Sequence, residues 1–175
     1  MKRFLFIMMV LSLTTQSGCA APHTTAKAEY PVDKMGNKIN GKVPPMTPSK
    51  SMFETRVLEA EEGLDGKTLI TSRTVREKGT RSPIHIHPNG GQTCVIAGEM
   101  TLYMDGAEPQ VAPEGTCYWM PPNRRMTGVN TANSATIMLD SFVVTKGDPV
   151  WIVVEPGMES SQQQFDKTFM VNHKH

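Results

Sequence analysis

Gly79-Thr80-Arg81-Ser82-Pro83-Ile84-His85-Ile86-His87-Pro88-Asn89-Gly90-Gly91-Gln92 is the stretch on which the reading of this chain turns. His85 and His87 stand two apart in an alternating segment, and residues two apart on a strand point to the same face. Both imidazoles can then converge on one point. Imidazole nitrogen suits Zn, Cu, Ni and Fe, and an oxygen donor nearby completes a half-site. A His-x-His pair is also a common structural or surface feature, so its surroundings decide its weight.

Those surroundings read as β-structure. Period-two alternation begins near residue 52, with strands expected at 56–60 and 68–72 and a turn-rich 62–66 between them. Further strands are expected at 84–87, 93–96, 100–104, 109–111, 116–120, 135–139 and 150–154, with Asp105-Gly106 as a strong turn. Short, evenly spaced strands without a helical period indicate an all-β sandwich or barrel. The tail at 158–175 is expected to add a turn or short helix and little core.

Two spacings sharpen this. The quoted stretch resembles the first motif of the cupin superfamily: a glycine, five residues, His-x-His, an acidic ligand and a closing glycine. Gly79, His85, His87 and Gly98 match it. Gly115, Pro121 and Asn130 match the second motif, and sixteen residues separate Gly98 from Gly115. The resemblance covers 55–155. It implies a single cupin-type double-stranded β-helix, a jelly-roll barrel over 51–157, and it admits a homodimer, since cupins often pair through their sheets.

The departures bear on the chemistry. Gln92 stands near the acidic-ligand position, with a neutral amide oxygen to offer. It lies one residue too close to Gly98, so either Gly91 occupies that position or a bulge at Gly90-Gly91 turns Gln92 inward. The bulge is the favoured expectation. Met126 replaces the second-motif histidine, and Asn123 the turn glycine. A thioether is a poor ligand for hard ions and a reasonable one for Cu(I); Met126 can equally be apolar filler. The expected ligand set is His85, His87, Gln92 and Met126, around a transition metal that is Zn, Cu, Ni or Fe.

Other residues carry weaker signals. The resemblance places Cys94 and Cys117 side by side in one sheet. A disulfide and two buried thiols are both open, and Cys94, which shares strand parity with Gln92, is also a candidate pocket thiolate. Asp140 and Tyr103 are pocket candidates. Trp119 and Trp151 read as core or pocket wall, and Arg124 and Arg125 fall near the barrel mouth. His173 and His175 form a second pair on a polar tail.

Charge excludes one class of partner: 18 Lys and Arg against 17 Asp and Glu leave no basic stripe for nucleic acid. At the N-terminus, Lys2 and Arg3 precede an apolar run at 4–11, too short to span a bilayer and typical of a signal peptide over 1–18. Ser17-Gly18-Cys19 resembles the end of a bacterial lipobox, with Cys19 as the lipidation site. Gln16 departs from that pattern, and ordinary cleavage after Ala20 is the alternative. The expectation is a periplasmic lipoprotein anchored to the outer membrane, touching the membrane only through Cys19. Residues 19–50, rich in proline and lacking an apolar period, read as a tether or extended arm.

Function follows as an expectation: an exported cupin that binds a transition metal and binds or acts on a small organic molecule. If it is catalytic, the resemblance implies oxidative or isomerising chemistry. The alternatives are a metal-independent small-molecule-binding protein of the envelope and a copper-handling protein.

Overall fold

The computed structural model describes residues 36–49, 56–63, 65–145 and 148–170. The signal segment, Cys19, His173 and His175 lie outside these residues. The described chain runs β1 (Thr47–Pro48), β2 (Arg56–Glu62), β3 (Lys67–Arg76), β4 (Thr80–Arg81), β5 (His85–Ile86), β6 (Gly91–Ala97) and β7 (Glu99–Met104). It continues through β8 (Gln110–Pro113), β9 (Cys117–Met120), β10 (Met126–Val129), β11 (Thr136–Thr145), β12 (Ile152–Val153) and helix α1 (Glu159–Met170).

The strands form two sheets of a double-stranded β-helix, the jelly roll expected from the motifs. One sheet has the order β2-β3-β11-β6-β9; the other runs β1-β4-β10-β5-β12, with β7 also on β10 and β8 on β7. In the first sheet the pleat sends alternate residues inward. Ser72 pairs with Asp140, Asp140 with Thr93, and Thr93 with Tyr118, so these four make one row across the inner face. Between it and the neighbouring inner row, which contains Ile70 and Phe142, the outward parity takes Thr71, Ser141, Gln92 and Trp119.

In the second sheet His85 faces inward, while Ile84 and Ile86 pack outward with Ile39 and Val154 in a separate apolar cluster. Ile39 belongs to the N-terminal arm, whose described part is docked rather than hanging free. Asn40 Nδ2 donates to Met104 O and Ala107 O, its Oδ1 accepts from Gly106 N at 2.7 Å, and Arg125 Nη2 donates to Gly36 O.

Two expectations change. Strand β10 falls between the strands expected at 116–120 and 135–139, where none was expected. All four of its residues are buried, so no alternation marks it. The turn is Asn123, which adopts the positive φ (56°) of the glycine it replaces. The C-terminal tail contributes core after all: α1 buries Phe165 against Trp151, with ring centroids 4.5 Å apart.

A buried ion pair closes the second sheet. Arg81 Nη1 and Nη2 donate to the two oxygens of Glu155 at 2.7 Å each, and Ile84 N donates to Glu155 Oε2 at 2.8 Å. The carboxylate thus ties β4 to the backbone that leads into the histidine strand.

Candidate metal and ligand site

His85 lies on β5, held between Met126 of β10 and Val153 of β12, and His87 follows where the chain leaves the strand. Both are buried, at 6% and 3% exposure. His85 Nδ1 lies 2.7 Å from Pro83 O, and His87 Nδ1 lies 2.9 Å from Val150 O. A carbonyl can only accept, so both Nδ1 atoms carry hydrogen and both Nε2 atoms present lone pairs. Those Nε2 atoms face each other at 3.1 Å.

The pair is therefore one hydrogen short. A shared proton or a metal ion would satisfy it. The proton is disfavoured: burial first, then the neighbouring His87 and the Arg76 charge, hold His85 well below the usual imidazole range, and burial lowers His87 to about 4. Two nitrogen ligands, each about 2.1 Å from a shared ion, readily have the observed separation. The histidine pair fits a transition metal, and the conditions fixing its Nδ1 tautomers are those of a ligand histidine.

The rest of the expected ligand set is not assembled in this way. Gln92 is exposed on the outer face, because β6 enters without a bulge and its inward residues are Gly91, Thr93 and Val95. Gly91 faces inward at the position where the motif resemblance expects the acidic ligand. A Cβ there would lie 2.5 Å from the Phe142 ring, which stacks on His87 at 4.9 Å between centroids. An aromatic ring thus fills the space of the missing carboxylate. Met126 is fully buried in the apolar core and lines the cavity. Among the described residues no group of three or more His, Cys, Asp or Glu is suited to one ion.

Cys94 shares the outward parity of Gln92 and is bonded to Cys117, so it supplies no thiolate to the pocket. Tyr103 packs against the arm cluster and does not line the cavity. Trp119 is 57% exposed, whereas Trp151 is a wall residue whose ring lies 4.4 Å from that of His85. Arg125 bonds Asp105 and, with Arg124, braces the β7–β8 turn, and neither lines the cavity.

Asp140 does reach the pocket. Between the sheets lies a cavity of about 60 Å³ open to the centre of a water molecule, room for about four to six waters. The histidines, Trp151, Met126 and Phe165 line one part of it; Ser72, Thr74, Arg76, Thr93, Tyr118 and Asp140 line another. Thr74 and Thr93 hydroxyls each donate to Asp140 at 2.7 Å. Burial raises the Asp140 carboxyl, opposed by those hydroxyls and by Arg76. Burial, followed by the Asp140 charge, raises the Tyr118 phenol, and burial lowers Arg76, opposed chiefly by Asp140.

Arg76 and, apart from Asp140, the row from Ser72 to Tyr118 were missed from sequence. The available signal was parity: Ile70, Ser72, Thr74 and Arg76 share one face. A charged residue ending a strand ordinarily reads as outward, which hid it.

Fold and site together define a jelly-roll protein with a histidine pair beside a chiefly apolar cavity that carries a row of polar side chains. No protein-family model and no curated protein matches the chain. Among solved structures it is similar to the DMSP lyase DddQ of Ruegeria pomeroyi, at 20% identity and a TM-score of 0.49, over 58% of this chain. The chain spans about half the length of that lyase, 51%. A cupin-like protein of Thermotoga maritima matches at 19% identity and a TM-score of 0.45, over 65% of this chain and 82% of its own. An RmlC-like cupin of Methanocaldococcus jannaschii matches at 21% and 0.45, over 59% and 91%. These likenesses are of fold.

Proposed function

We propose that this chain is an exported cupin that holds a transition metal at His85 and His87 and binds a small organic molecule in the adjoining cavity. The missing hydrogen between the two Nε2 atoms carries the metal reading. Two neutral imidazoles favour Zn, Cu, Ni or Fe over harder ions, with the Met126 thioether nearby as a soft neighbour. A bound ion would act as a Lewis acid toward an oxygen of the ligand. The residues of this chain fix the imidazole tautomers, exclude bulk water and line the rest of the ligand cavity.

Metal analysis of protein loaded separately with Zn, Cu, Ni and Fe(II) tests this. About one equivalent of at least one metal is expected in the parent and none in His85→Ala/His87→Ala; equal content in both would sink the metal reading. The second reading, a metal-independent binding protein, is favoured by the Phe142 ring in the carboxylate space. It predicts that chelation leaves binding of small organic molecules unchanged.

Export and anchoring are proposed from residues 1–18 and Cys19. In a bacterial host, labelled palmitate is expected on the full chain and absent from Cys19→Ser. Equal labelling of both would remove the anchor from the proposal.

A further inference from the structure

Three buried side-chain donors on the cavity wall have no hydrogen-bond partner: Ser72 Oγ, Arg76 Nε and Trp151 Nε1. Their residues are 1%, 4% and 2% exposed. Buried polar atoms are nearly always paired, so three orphans around one cavity mark a place where something else supplies the acceptors. All three can donate, and two can only donate. What they lack is oxygen.

The charge of Arg76 narrows the choice. Arg76 is buried and lines the cavity together with Asp140 and Tyr118, which places the guanidinium among the cavity groups. Asp140 already accepts from both Thr74 and Thr93. A guanidinium fork with an open Nε–H matches a carboxylate in shape as well as charge. Ser72 stands four residues earlier on β3, and Trp151 comes from the segment before β12, so the acceptor atoms must be spread over more than one group. Met126, Phe142 and Phe165 supply an apolar side for a short carbon chain.

We propose that the cavity takes a small hydroxy- or oxo-carboxylic acid of about five to eight non-hydrogen atoms, its carboxylate on Arg76 and its second oxygen within reach of Ser72 or Trp151. This rests on reading the cavity as a ligand site and is independent of the metal.

The test uses chelator-treated protein, so that chelation of a metal by the acid plays no part. The probes are 2-hydroxybutyrate, its neutral amide 2-hydroxybutanamide, and the cation 1-amino-2-butanol. Binding is read from methyl signals of labelled methionine, since Met100, Met126 and Met138 line the cavity. The acid is expected to bind at least tenfold more tightly than the amide or the amine. Arg76→Gln removes that preference, and Trp151→Phe weakens the acid several-fold.

Equal binding of acid and amide, or a preference that survives Arg76→Gln, overturns the carboxylate assignment. Tight binding of the amine overturns it too, while leaving the cavity a ligand site. If no probe moves the methionine signals, both the assignment and the reading of the cavity fail. Should Arg76→Gln not fold, the acid-against-amide comparison in the parent and in Trp151→Phe decides.

Discussion

Glu155→Ala is expected to lower folding stability by about 3–5 kcal/mol, the usual consequence of leaving a buried charge without its partner. Arg81 is 2% exposed and holds Glu155 through two bonds of 2.7 Å, so little water can replace the lost carboxylate. The backbone N–H of Ile84 loses its acceptor at the same time. At about 2–4 °C per kcal/mol for a chain of this size, the melting temperature falls by roughly 6–20 °C. Arg81→Met/Glu155→Leu removes both charges and should recover most of the loss, because apolar pairs often replace buried ion pairs at no net cost. Urea unfolding of the three proteins measures this; a loss below about 1 kcal/mol in Glu155→Ala would mean that the pair is solvated.

The second large effect concerns the absent carboxylate. Gly91→Glu alone should destabilise the barrel, since its Cβ would meet the Phe142 ring at 2.5 Å and Ser141 O at 3.0 Å. Phe142→Ala alone should cost about 3–5 kcal/mol through the cavity it opens. Combined, the two changes trade a ring for a carboxylate beside two imidazoles. Gly91→Glu/Phe142→Ala is expected to bind Zn or Ni at least tenfold more tightly than Phe142→Ala, as read by competition with a chromophoric chelator. No gain would place residue 91 outside reach of the ion and would weaken the metal reading with it.

Both experiments depend on features that the sequence exposed unevenly. Motif glycines, alternation and the His85/His87 spacing made the jelly roll and the inward imidazoles legible, because each is a local pattern. The side of the sheet taken by Gln92 was not local. It depends on whether β6 enters with a bulge, and the Phe142 ring, fifty residues further on, occupies the space that such a bulge would need to fill. Gly91 was identified as the alternative occupant, but nothing near it in sequence reveals the ring. Arg76 was hidden for a related reason: its face is fixed by pairing with β11, and a guanidinium turned into a barrel runs against the ordinary preference of charge for water. Strand β10, buried on both faces, offered no alternation at all.

The Cys94–Cys117 bond gives the fold a sense of place. It joins paired residues on β6 and β9 across a sequence separation of 23, worth about 3 kcal/mol to the folded state if its effect is to restrict the unfolded chain. A reducing cytosol withholds that contribution and an oxidising compartment grants it. For a chain that is exported as proposed, the timing is useful: the precursor stays easier to unfold while it must be threaded, and the barrel tightens once it has arrived.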